Sequence, residues 1–179
     1  MSEPTPTPAL AVADHGAVAV HGIDAVLAAL PSQPAITALQ SAPQGLLLDA
    51  LFDRAELTLT ISPDRIIEAA QAVQSAGYNF LEDVTCVDWY PATPRFQVTY
   101  HITSHALKQR IRLIALLPLE AAAIDSITPV WPSANFYERE VFDLFGVRFR
   151  NHPNLIRIMM PEDWTGHPLR KDYPVEGYR

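Results

Sequence analysis

The chain has 179 residues, 49% of them hydrophobic, which suits one folded domain with room for tails. Its longest apolar run, around 113–119, is broken by Pro118 and falls well short of the roughly 20 apolar residues that a membrane-spanning helix needs. The formal charge of −7 divides into −9 up to Val147 and +2 from Arg148 onward, which argues against nucleic acid as the main partner and sets the end of the chain apart from its body.

Residues 1–20 read as a disordered N-terminal arm. Pro alternates with Thr near the start, and the first ten residues carry neither Lys nor Arg and no apolar stretch, so no signal or transit peptide is expected there. Residues 23–30 read as a short helix stopped by Pro31, and 32–43 are broken by proline. Residues 46–51 and 56–61 read as two strands. In the second, Leu57, Leu59 and Ile61 alternate with Thr58 and Thr60, the period of a half-buried strand.

A helix follows, with Ser62 expected as N-cap, Pro63 in the first helical position and Ile66, Ile67, Ala70 and Val73 on one face; Gly77 is its stop. Strands are expected at 84–89, 96–103 and 110–117. The middle one puts Phe96, Val98, Tyr100 and Ile102 on one face and Gln97, Thr99, His101 and Thr103 on the other. Residues 134–145 form a second helix, with Ser133 as cap and Gly146 as stop, and 147–150 a short strand. The expected fold is α+β: a two-layer domain over 21–150 with a sheet of about five strands and helices on one face. An extended C-terminal arm over 151–179 follows it.

On a helical wheel, Tyr137, Val141, Phe142, Leu144 and Phe145 share one arc of the second helix, and Arg139, Glu140 and Asp143 lie opposite. Glu138 falls in the middle of the apolar arc. A charge there must meet an Arg, backbone donors or a partner, or else be a carboxylate near the helix start that leans into solvent. Arg139 and Asp143, four residues apart, can pair across an exposed face.

Residues 151–179 contain Pro153, Pro161, Pro168 and Pro174, which leave no space for a long helix or a central strand. Yet the segment carries Leu155, Ile156, Ile158, Met159, Met160, Trp164, Leu169, Tyr173, Val175 and Tyr178, too apolar for a linker. Oily, extended and punctuated by proline, it reads as an arm lying on another surface, either a second subunit or its own domain. Extended at roughly 3.3 Å per residue, it could reach on the order of 90 Å.

The run from Trp131 to Gly146, with Glu138-Arg139-Glu140 followed by Asp143, Leu144 and Phe145, resembles the signature of the 30-kilodalton subunit of respiratory complex I. Asn151-His152-Pro153-Asn154-Leu155, Arg157 to Trp164, and Gly166-His167-Pro168-Leu169-Arg170-Lys171-Asp172-Tyr173-Pro174 look like the rest of that family's C-terminal region. The match is dense over 131–174, looser over 77–117, and does not extend before about Leu46.

The resemblance implies a two-layer α+β domain with a mixed sheet. It implies a non-catalytic structural subunit of the peripheral arm of a proton-pumping NADH:quinone oxidoreductase, on the cytoplasmic side of the inner membrane. Its tail would lie across the large subunit that lines the quinone site. No flavin, iron–sulfur cluster or metal is implied in this chain; flavin and clusters belong to partner subunits. Residues expected to meet partners are Glu138, Arg139, Glu140, Asp143, Arg157, Met160, Trp164, His167, Leu169, Arg170, Lys171, Asp172 and Tyr173. The equivalent subunit of a membrane-bound hydrogenase or ferredoxin-dependent quinone oxidoreductase shares this architecture and is the alternative.

The remaining signals are small. Cys86, the one cysteine, allows no internal disulfide and cannot supply the thiols of a cluster; it reads as a buried strand residue. His101 and His105 span a strand end and a turn, so their spacing does not make a metal pair; a stand-alone hydrolase built on them would require stoichiometric metal. His152 and His167 each precede a proline and read as turn and contact residues. No glycine-rich nucleotide loop follows a strand, and no Ser–His–Asp or Cys–His arrangement can be assembled. No catalytic residue is expected.

Overall fold

The structure is a computed structural model that describes residues 19–42 and 44–177. Most of the N-terminal arm, with Pro43, Tyr178 and Arg179, lies outside the described residues.

The elements run β1 (Val20–His21), α1 (Ile23–Ala29), α2 (Pro34–Ser41), β2 (Leu47–Asp53), β3 (Glu56–Ile61), α3 (Ile66–Ser75), β4 (Phe80–Asp88), β5 (Phe96–Ser104), β6 (Gln109–Leu117), β7 (Ala123–Asp125), α4 (Ala134–Phe145) and β8 (Arg148–Arg150). A six-stranded mixed sheet has the order β1-β2-β3-β6-β5-β4, and β7 pairs with β8 in a separate parallel pair. After β3 the chain crosses through α3 to the far edge of the sheet. The β4–β5–β6 meander then walks back, so β6 lands parallel to β3 while every other neighbour in the sheet is antiparallel.

The alternating residues of the strands build the core. Leu57, Leu59 and Ile61 of β3, Phe96, Val98, Tyr100 and Ile102 of β5, and Ile111, Leu113, Ala115 and Leu117 of β6 are buried in one cluster with Ile36 and Leu39 of α2 and Ile66, Ala70 and Val73 of α3. The opposite sheet face carries Gln97, His101, Arg110 and Arg112, half-buried or exposed. Arg112 donates to Thr58 there, and Arg110 pairs with Glu56.

The α+β plan is the expected one, with differences of detail. The sheet has six strands because β1, two residues long, adds Val20 and His21 at an edge. So short a strand leaves no periodic trace in sequence, and it puts Val20, the last residue of the expected disordered arm, into the fold. Pro34 begins α2 from the first helical position, where its missing N–H costs nothing, and Gln33 caps the helix by accepting from the Ala35 amide. Ser62 and Ser133 make no capping hydrogen bond through their side chains; the chain enters α3 through a tight turn at Pro63–Arg65 instead.

Candidate functional site

The site is built on α4 and the ribbon that follows it. Helix α4 ends at Gly146, whose φ of 79° is the left-handed value that glycine adopts without strain. A second constraint acts at the same residue: a Cβ there would stand 2.6 Å from the His167 ring. The glycine therefore both stops the helix and lets the ribbon lie against it.

Glu138 points into the domain and is fully buried. Its carboxyl accepts from the Ser126 hydroxyl at 2.6 Å and from the Ile127 amide at 2.8 Å. Burial pushes its pKa up to about 7, against the pull of these two hydrogen bonds. His152 Nε2 stands 3.9 Å from the carboxylate. That nitrogen is hydrogen-bonded to the Asn135 carbonyl, while Nδ1 accepts from the Asn154 amide. One ring nitrogen donates and the other accepts, the pattern of a neutral imidazole, and burial lowers the His152 pKa. The Glu138–His152 contact is therefore no ion pair. Nearby in the core, the Tyr100 hydroxyl and the Trp131 indole N–H are buried with no hydrogen-bond partner among the described residues.

Asp143 lies on the other side of α4, also fully buried, but it is the ribbon that buries it. One carboxylate oxygen, Oδ2, accepts from three successive amides, Ile158, Met159 and Met160, at 2.8–2.9 Å. The other pairs with Arg157. Arg157 also donates to the carbonyls of Asp143, Trp164 and Gly166, and His167 Nδ1 donates to the Asp143 carbonyl. Four donors on one carboxylate outweigh its desolvation and hold its pKa below the usual aspartate value. Arg139 donates to the carbonyls of Ile156 and Arg157.

A second junction fixes the far part of the ribbon. Asp88, at the end of β4, and Arg95, beside β5, form a buried two-armed pair at 2.7–2.8 Å. Arg95 reaches on to Asp172, and the Lys171 amide donates to Asp88. The Arg95 guanidinium lies 5.0 Å from the Tyr90 ring centroid and 5.1 Å from that of Phe96. Its hydrogen bond holds the Asp172 pKa well below the usual carboxylate range. Between the junctions, the Leu169 amide donates to the Leu144 carbonyl.

The expected site residues thus fall into three groups. Glu138 and Asp143 have no surface to offer a partner: each is enclosed by its own chain, because α4 packs on the core along one side and is roofed by the ribbon along the other. The Arg139–Asp143 pair is not formed, since both side chains are taken up by the ribbon. Arg157, Met160, His167, Arg170 and Tyr173 are half-buried in the ribbon, as is Arg139 beside it. Glu140, Trp164, Leu169, Lys171 and Asp172 are exposed. The ribbon does not reach out as an extended arm. It turns repeatedly and is pinned to its own domain through polar contacts. In 151–177 the His152 side chain is enclosed beside Glu138 and Leu155 packs against the core, while Ile156, Ile158, Met159, Trp164, Leu169 and Val175 face outward.

Sequence reasoning missed Asp88, Arg95 and Ser126. A signal existed for Asp88, which follows Val84 and Cys86 in the buried register of its strand, where a carboxylate requires a partner. Cys86 is buried and its thiol is pushed up to about 12 by burial, as befits a packing residue. His105, in the turn after β5, lies 5.3 Å from the Phe80 ring. Among the described residues no group of three or more His, Cys, Asp or Glu could hold a metal ion, and no helix is long and apolar enough to cross a membrane.

The family model described as "Respiratory-chain NADH dehydrogenase, 30 Kd subunit" matches residues 59–179. The C subunit of the NADH-quinone oxidoreductase of Citrifermentans bemidjiense is 49% identical over 132 residues, covering 73% of this chain and 82% of that protein. Its namesake from Roseiflexus castenholzii is 41% identical over 150 residues, covering 82% and 86%. Among solved structures, a trypsin-resistant fragment (1–134) of Nqo5 superposes with a TM-score of 0.53 at 33% identity, covering 56% of this chain and 83% of that one. A chain of an archaeal membrane-bound sulfane sulfur reductase reaches a TM-score of 0.62 at 23% identity over 78% of this chain and 82% of that one, a likeness of fold. With its Glu138-to-Phe145 signature on α4 and a family match across β5, β6, α4 and the whole ribbon, the chain belongs to the family of the 30-kilodalton subunit of respiratory-chain NADH dehydrogenase.

Proposed function

We propose that this chain is the 30-kilodalton subunit of an NADH:quinone oxidoreductase, a structural member of the peripheral arm that supports electron transfer from NADH to quinone coupled to proton translocation. It holds no flavin, cluster or active site of its own and acts by fixing neighbouring subunits in place. Its principal partner is the large subunit that lines the quinone site, and it works on the cytoplasmic side of the inner membrane. The relatives carry the name of the NADH enzyme, which favours this reading over a hydrogenase-type complex.

One observation carries the docking role: the 151–177 ribbon has its backbone fixed by polar contacts to its own domain while Ile156, Ile158, Met159, Trp164, Leu169 and Val175 remain uncovered. An uncovered apolar ridge beside satisfied polar anchors is the anatomy of an interface whose second half is another protein.

The test is to end the chain after Arg150. Every helix and strand among the described residues lies before that point, so the trimmed chain is expected to keep its circular-dichroism spectrum and a cooperative melt, yet to be lost from the purified complex. Full co-purification of the trimmed chain would overturn the docking role. The isolated full chain is expected to show no NADH oxidation and no flavin or cluster absorbance.

A further inference from the structure

The ribbon's order in the free chain has an identifiable source. Three consecutive amides converge on one oxygen of Asp143, and they can do so only if the peptide 157–160 curls around the carboxylate. That curl turns the Ile158 and Met159 side chains away from α4, leaving them 39% and 61% exposed. Arg157 closes the loop by bonding Asp143 on one side and the Trp164 and Gly166 carbonyls on the other, which ties the backbone of Trp164, itself 38% exposed, to the same anchor. The carboxylate is fully buried, so it cannot touch a partner itself.

We propose that Asp143 is a positioning residue: its carboxylate, with Arg157, sets residues 156–164 into their docking shape before the partner arrives, so that Ile156, Ile158, Met159 and Trp164 form a ready-made apolar ridge. This rests on the docking role proposed above and names the group that enables it. Pre-ordering removes the entropy of fixing the ribbon from the binding step. Replacing the carboxylate by an amide removes its charge and an acceptor oxygen from four donors, while leaving the ridge side chains unchanged.

The experiment compares wild type, Asp143→Asn and Arg157→Gln, each as the full chain, with the chain ended after Arg150 as reference. Hydrogen exchange of the free chains is expected to show the 158–160 amides protected in wild type. In both variants they should exchange at least tenfold faster, with the β5 and β6 amides unchanged. In cells that supply the other subunits, the variants are expected to enter the complex about tenfold less at limiting expression. At high expression the Asp143→Asn complex should recover wild-type composition and NADH:quinone activity, because the fully buried carboxylate touches no partner. A residue needed only for stability would instead speed exchange in β5 and β6.

If the 158–160 amides of free wild type exchange like an unstructured peptide, the proposal is wrong. It is also wrong if Asp143→Asn and Arg157→Gln loosen those amides yet assemble as wild type does, while the Arg150-ended chain does not. If the Arg150-ended chain assembles as well, the docking role itself fails.

Discussion

Glu138 and Asp143 are five residues apart on one helix, both fully buried, yet their environments push their pKa values in opposite directions. Asp143 meets four donors including a guanidinium, whereas Glu138 meets only a hydroxyl and one amide. For Glu138 the sign follows from its raised folded value: the extra stability is fully present below the ordinary value of 4.5 and is lost as pH rises towards about 7. Histidines whose values desolvation lowers, such as His152 and His167, act with the opposite sign over part of that range. The comparison that isolates Glu138 is therefore wild type against Glu138→Gln. Between pH 4.5 and 7.5 the stability of wild type relative to the variant should fall by on the order of 3 kcal/mol, measured by denaturant titration at each pH. An unchanged difference would mean that Glu138 is ionised throughout. That Glu138 needed partners was legible from its place on the apolar arc. Their identities were not, because Ser126 and Ile127 sit in an irregular segment with no period to read.

At the scale of elements, legibility followed periodicity. Strand β5 could be read residue by residue because Phe96, Val98, Tyr100 and Ile102 alternate without a break. Strand β7 is three residues long, too short for a period to be read from it, and owes its place to pairing with β8. The wheel for α4 correctly set Asp143 opposite the apolar arc, but a wheel knows nothing of a ribbon arriving from 14 or more residues later to roof that side. The junction of α4 and the ribbon can be probed at its tightest point. Gly146→Ala brings a Cβ against the His167 ring and a side chain into the left-handed region. It should cost about 1–2 kcal/mol from the backbone alone. Because His167 must also move, amide exchange should quicken around Gly166–Leu169 more than in β5. A uniform effect across the chain would place the strain elsewhere.

For the whole molecule, composition marked only a ribbon too oily for a linker, and the resemblance in the C-terminal third is what named that ribbon as a docking tail. The structure adds that the ribbon is neither free nor sheltered. Asp88, Arg95 and Asp172 hold its far part and Asp143 its near part, and Ile156, Ile158, Met159, Trp164, Leu169 and Val175 remain outside. The full chain purified without its neighbours should accordingly bind an apolar dye and self-associate at micromolar concentration, and the chain ended after Arg150 should do so less. Sedimentation of the two at matched concentrations gives the answer; equal monodispersity would show that the ridge is covered in solution.

The hold that Asp143 keeps on residues 158–160 bears on how supply of this polypeptide is matched to demand. A loosely tethered tail could collapse onto itself while waiting, but one clasped from beneath keeps its greasy side turned out until it is met. Surplus copies would then announce themselves to chaperones and proteases by the very feature that makes them ready to assemble.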